Sequence, residues 1–150
     1  INEPAEFTLS GTTGTSNQMI EQTKDANSAS KWCLFHENKP VVWQAQYQKP
    51  ISIDSYELSS AGDVPNRDPR EWLLEGSNDG QNWTVIDRKA NQAVFPKRRM
   101  MQSYELVSKS PAFTSFRFTF KKVNGDNMFQ LSEIKLNTAK SNRSFAAYPQ

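Results

Sequence analysis

A chain of 150 residues with 36% hydrophobic content is long enough for one domain with its own core. A net charge of +2 excludes binding to nucleic acid by charge alone, the densest basic run being Lys97-Arg98-Arg99. No apolar run approaches the roughly 18 residues of a membrane-spanning helix, and the single cysteine, Cys33, excludes an internal disulfide framework.

Nine Phe, four Trp and four Tyr make up much of the apolar content, which suits a β core. The chain opens at Ile1 without methionine or signal-like segment and reads as a processed or excised piece. Residues 17–23 give the nearest approach to a helix, a short turn with Met19, Ile20 and Thr23 on one side. From there period-two patterns dominate. In VVWQAQY, Trp43, Ala45 and Tyr47 share a face opposite Gln44 and Gln46. In ISIDSYEL, Ile51 and Ile53 differ in parity from Tyr56 and Leu58, so a bulge near Asp54-Ser55 is expected to bring both pairs inward. Residues 71–76 read as a strand with Trp72 and Leu74 inward, and 82–86 as the next, with Trp83 and Val85 on one face and both tryptophans in the core. Asp79-Gly80 between them is a hairpin corner, since glycine supplies positive φ freely and the further acids of an EF-hand are missing. FRFTF alternates Phe116, Phe118 and Phe120 with polar residues, and SEIKL alternates Ile134 and Leu136. Breakers separate these runs at Lys39-Pro40, Lys49-Pro50, Val64-Pro65, Asp68-Pro69, Phe95-Pro96, Ser110-Pro111 and Asn124-Gly125. The pattern predicts an all-β fold, an antiparallel sandwich or barrel over 1–137, with 138–150 a polar tail or linker carrying Phe145 and Tyr148.

The residues that could carry catalysis are few. Cys33 and His36 are three apart, but a dyad needs side chains that meet and a third group to orient the base. No nucleophile elbow or phosphate loop occurs, and the acids fall mostly in turns or on exposed faces. Cys33 is expected to be a buried structural thiol. Phe35 and Phe95, each in a polar loop, are the expected exposed aromatics. The sequons at Asn82 and Asn142 read as chance.

RDPREW followed by GSNDGQNW resembles the discoidin family, the coagulation-factor type C domains, whose bacterial members include many carbohydrate-binding modules. DANSASKW, FRFTF and FQLSEIKL match further motifs in the same order, so the likeness runs from about residue 20 to 136. It implies a jelly-roll-like antiparallel β-sandwich, the galactose-binding-like fold, and a non-catalytic role. It also implies a structural calcium ion held by Asp25, Asn27, Ser30 and Glu133, with carbonyls from Gln22 and Ser132; oxygen ligands of this mixture suit Ca²⁺. Ala26 stands where the family prefers glycine, and alanine is strained if the turn needs positive φ. The ligand surface is expected on end loops 34–39, 60–70 and 123–129, flanked by 91–100. There the resemblance points to Phe35, His36, Glu37, Arg67, Asn127 and Phe129 as sugar contacts, with Cys33 in the slot where galactose-binding relatives carry histidine.

The sequence thus reads as a carbohydrate-binding module, monomeric, tethered to a catalytic domain such as a glycoside hydrolase, and working outside the cell, on its surface or in the periplasm. A protein-interaction or spacer module is one alternative. Phospholipid binding through Phe95 and the adjacent Lys97, Arg98 and Arg99 is the other.

Overall fold

The computed structural model describes residues 6–139, and these fold as an all-antiparallel β-sandwich. Ten strands run β1 (Phe7–Gly11), β2 (Trp32–Phe35), β3 (Val41–Ile51), β4 (Ile53–Ser59), β5 (Pro69–Ser77), β6 (Thr84–Lys89), β7 (Met101–Glu105), β8 (Phe113–Val123), β9 (Met128–Leu131) and β10 (Glu133–Thr138). One sheet has the order β1-β3-β8-β5-β6 and the other β10-β4-β7, while β2 and β9 form a two-stranded ribbon. Short 3₁₀ turns at Ile20–Lys24 and Pro65–Arg67 are the only helical elements among the described residues.

Alternation places the core between the sheets. The long sheet contributes Trp43, Ala45, Trp72, Leu74, Phe116, Phe118 and Phe120, and the short one Ile53, Tyr56, Leu58 and Ile134, all buried. The ribbon adds Trp32, Leu34, Phe129 and Leu131. Rings meet edge to face or offset: Trp43 on Phe118, Tyr56 on Phe118, Trp32 on Phe129, each pair contributing about 0.5–1.5 kcal/mol beyond its buried area. Polar tips inside the core find partners. Trp72 Nε1 donates to Tyr56 Oη at 2.9 Å, and that hydroxyl donates to Asp87 Oδ2 at 2.8 Å, tying the two sheets together. Burial pushes the Tyr56 phenol far above its usual range. Trp43 Nε1 donates to Thr23 Oγ1 at 2.9 Å, which seats the first 3₁₀ turn on the core.

The expected bulge brings Ile53, Tyr56 and Leu58 inward, whereas Ile51 ends β3 and is half-buried. Ser55 pairs with Asn137 but Ile53 with Thr138, so Asp54 is the extra residue, and Ile53, Tyr56 and Leu58 all point inward. The 79–80 stretch is a corner between β5 and β6. Asp79 Oδ1 accepts the N–H groups of Gln81 and Asn82 at 2.8 and 2.7 Å, and Gly80 takes φ +72°. Those bonds hold the Asp79 carboxyl well below the usual carboxylate range.

Two aromatics differ from expectation. Trp83 is not core: it precedes β6, where the register with β5 shifts at Leu74/Glu75, and its half-buried ring lies on Arg117, the guanidinium carbon 3.9 Å from the ring centre. Phe95 is buried, its N–H donating to Asp68 Oδ2. Thr138 ends β10, and the rest of the expected tail from residue 140, including Phe145, Tyr148 and the Asn142 sequon, lies outside the described residues.

Gly76 lies in β5 under Phe113, and a Cβ there would overlap the ring. The Gly76→Ala protein is expected to lose about 1–3 kcal/mol, a fall of roughly 2–10 °C in thermal midpoint by calorimetry.

Candidate functional site

Antiparallel pairing puts the ends of β1, β2 and β8 and the starts of β3 and β5 at one end of the sandwich, since Gly11 pairs with Trp43, Val41 with Phe120 and Pro69 with Val123. The loops at residues 36–40, 60–68, 90–100 and 124–127 therefore meet there, as expected. Asp68, fully buried, holds three of them. Its carboxylate takes both guanidinium ends of Arg98, at 3.0 and 2.5 Å, and the N–H of Phe95 at 2.9 Å, while its carbonyl accepts the Asn124 N–H. Asp126 joins the others: its N–H donates to Asn66 O, and its carbonyl lies 2.8 Å from His36 Nε2.

This framework sorts the sequence-derived sugar contacts. His36 is not free to meet a ligand: Nδ1 accepts the Asn38 N–H at 3.0 Å, which leaves Nε2 as the proton carrier that donates to Asp126 O. It braces the loop. Phe129 offers no stacking face, being fully buried with its ring 5.1 Å from Trp32 and 4.9 Å from Phe120, because position 129 falls on the inward parity of β9. Arg67 lies mostly inside. Nη1 points at Gln130 Oε1 and Cys33 Sγ, and Nε is buried with Asp126 Oδ1 at 3.6 Å and no hydrogen bond. Its ionic partner is thus Asp126, while Asp68 pairs with Arg98 and Asp63 with Lys31 at 2.9 Å, an interaction that lowers the Asp63 carboxyl. Cys33 is buried, as its composition suggests, and burial pushes the thiol up. Phe35, Glu37 and Asn127 are exposed, Phe35 by 56%. Phe95 and Arg98 do not form an apolar spike beside free cations, because one is core and the other is paired.

A cavity of about 360 Å³ opens beside Phe35, bounded by Thr12 and Thr13 on one side and residues 34–41 on the other. Sequence reasoning missed Thr12 and Thr13: they follow β1 with no periodicity to mark them, and only the β1–β3 pairing brings them to the site. It also missed Asp126, and it read Arg98 as a free cation where it is the partner of Asp68 across the loops.

Of the expected calcium ligands, Asp25, Asn27, Ser30 and Glu133 lie together. Asp25 and Glu133, from opposite ends of the chain, converge on the Asn27 N–H, which sits 2.9 Å from Asp25 Oδ1 and 3.2 Å from Glu133 Oε2. Ser30 Oγ donates to Asp25 Oδ2 at 2.5 Å. Burial, then the adjoining Asp25, push the Glu133 carboxyl up to about 7. Burial raises Asp25 as well, but bonds with Ser30, Glu133 and Asn27 outweigh it and lower the carboxyl. Ala26 takes φ +57°, the left-handed conformation that glycine would adopt without strain. The side chains of Gln22 and Ser132 are engaged elsewhere, capping the 3₁₀ turn and donating to Ser60 O, so only their carbonyls remain as donors. This all-oxygen set fits a hard cation.

Comparison with known proteins agrees with this architecture. The model of the F5/8 type C domain matches residues 6–134. The structure superposes on the CpGH89CBM32-5 module from Clostridium perfringens, in complex with GalNAc-β-1,3-galactose, with a TM-score of 0.73 and 14% identity, over 87% of this chain and 94% of that one. The F5/8 type C domain of a Bacteroides fragilis protein gives 0.74 and 15% identity, over 89% and 93%. In sequence, 100 residues are 39% identical to a peptide-N(4)-(N-acetyl-β-glucosaminyl)asparagine amidase of Arabidopsis thaliana, 64% of this chain and 14% of that protein's length. With the motifs, the two-sheet topology and the match over nearly all described residues in agreement, this chain belongs to the F5/8 type C (discoidin) domain family.

Proposed function

We propose that this domain is a non-catalytic glycan-binding module, the accessory part of a glycan-processing protein, and that the loop end carrying Phe35 is its binding face. The observation that carries this reading is an exposed aromatic ring at the rim of a polar-walled cavity, on a family scaffold with relatives that hold sugars or act on glycosylated asparagine. Sugar rings need an apolar platform and a few fixed polar groups; of the expected contacts Phe35 and Glu37 are exposed and line the cavity, whereas Asn127, though exposed, does not line it. Arg67 can contribute only through Nη2, its other nitrogens facing Gln130, Cys33 and Asp126. The same reading puts the parent protein at the cell exterior, on its surface or in the periplasm, with this domain a monomer tethered to a catalytic neighbour.

Calcium, in this proposal, sits between Asp25 and Glu133, with Ser30 Oγ and the carbonyls of Asn27, Gln22 and Ser132 completing the shell. Bound, it would neutralise two carboxylates that now face each other, and tie the segment before β2 to β10.

Two measurements test these statements. Titration calorimetry against galactose, N-acetylgalactosamine, N-acetylglucosamine and a glycan panel is expected to give dissociation constants on the order of 0.1–1 mM, since a shallow single site buries little area; no heat with any glycan, from folded protein, would refute the module. Saturating calcium at about 100 times its dissociation constant is expected to add about 2.7 kcal/mol, or roughly 5–10 °C in thermal midpoint, over chelated protein at pH 7.5; no difference would refute the site. The chelated protein has a further signature. Glu133 is raised from 4.5 to about 7 on folding, so its contribution to stability is complete below pH 4.5 and disappears as pH rises to 7. Stability of the chelated protein should fall across that window, and Glu133→Gln should flatten the fall.

A further inference from the structure

The cavity beside Phe35 is lined by neither Arg67 nor Asn127, and its walls have a definite chemistry. Leu34, Phe35, Pro40 and Val41 are its apolar lining residues. Thr12 Oγ1 accepts the Val42 N–H at 2.9 Å, which fixes the oxygen and leaves the hydroxyl proton available to donate. Thr13 beside it is exposed. The rim holds one acid and one base, Glu37 and Lys39, 3.8 Å apart and both largely exposed, so its charge sums to zero. Glu37 and Asn38 are both left-handed, with φ +52° and +57°, and the loop keeps them so through the His36 brace and the Lys39 N–H to His36 O bond. Such strain persists where surroundings over-determine it, and it clusters at ligand-gripping loops. On the Arg67 side, by contrast, three of the loop's donors are turned inward: Arg67 Nη1, Arg67 Nε and His36 Nε2.

We infer that this cavity is the seat of a neutral pyranose, with the C–H face of the sugar on Phe35 and its hydroxyls on Thr12 and Thr13; the inference rests on the glycan-binding reading and gives it an address. The volume of about 360 Å³ is at the low end of small-ligand sites, about 300–1,000 Å³. The paired rim charges give no uncompensated cation for a uronic or sialic carboxylate, so neutral sugars are preferred.

The test is amide chemical-shift mapping of the ¹⁵N-labelled chain with galactose, N-acetylgalactosamine, N-acetylglucosamine and galacturonic acid, paired with affinities of Phe35→Ala, Thr13→Val and Asn127→Ala for the sugar that binds best. All three positions are exposed, so the variants fold. Shifts are expected to centre on Thr12, Thr13 and residues 35–39. Phe35→Ala should weaken binding on the order of tenfold and Thr13→Val severalfold, while Asn127→Ala changes it less than about twofold. If shifts centre on residues 66–67 and 124–127 and only Asn127→Ala abolishes binding, the cavity is not the seat, and glycan binding stands. If galacturonic acid binds best, the commitment to a neutral ligand falls. If no sugar here or on the panel shifts any amide, the glycan-binding reading falls and takes this inference with it.

Discussion

The loop end of this sandwich depends on one buried ion pair. Asp68 is fully inaccessible, and its carboxylate has three donors, two from Arg98 and one from the Phe95 backbone. A lone buried carboxylate costs several kcal/mol, and a two-pronged guanidinium contact with both oxygens hydrogen-bonded is what makes the pair tolerable there. Arg98 also reaches the carbonyls of Ala61 and Asp63, so one side chain fixes the path of the 60–68 loop and the 90–100 loop together. Asn124 then reads the Asp68 carbonyl through both its N–H and its side-chain amide. A hydrophobic replacement of equal volume could match the stability of such a pair. It could not hold three backbone segments in one mutual orientation, and orientation is what a binding face built from loops requires.

Beneath that end, aromatic packing supplies the rigidity. Rings from both sheets and from the β2–β9 ribbon meet at Phe118 and Phe120, and the few polar tips among them, Tyr56, Trp72 and Trp43, are all hydrogen-bonded. A loop anchored on such a base can be irregular without being loose. Val64, Glu37 and Asn38 all take positive φ at this end of the molecule, an arrangement that a β-branched residue such as Val64 adopts only under constraint.

The strands were legible in the sequence because a period of two leaves little freedom once one face is buried. Even the parity conflict between Ile53 and Tyr56 carried its own solution, a single extra residue at Asp54. What failed did so where alternation stops. Trp83 precedes its strand and lies across Arg117. Phe95 sits in a polar loop and is drawn inward because its N–H is needed by Asp68. The site was half visible. Phe35, Glu37 and Asn127 could be found from loop position and resemblance, whereas the inward turn of Arg67, the bracing role of His36 and the wall formed by Thr12 and Thr13 are set by contacts between loops distant in sequence.

A carboxyl titrating near 7 is ordinarily a mark of acid–base catalysis, and Glu133 is such a group. Its surroundings argue otherwise. The second group beside it is another carboxylate, Asp25, already engaged by the Ser30 hydroxyl and the Asn27 N–H. Among the described residues no cluster of three or more His, Cys, Asp and Glu accompanies the two acids, and no nucleophile or second base completes a catalytic arrangement. Burial raises the value first, and the adjoining Asp25 adds to it through hydrogen bonding and like-charge repulsion. The fold brings these residues together from opposite ends of the chain and holds Ala26 beside them in a left-handed conformation. In the calcium proposal a bound cation would offset both the repulsion and the Ala26 strain at once, Glu133 would belong to the scaffold, and recognition would fall to the loop end that Asp68 and Arg98 hold in place.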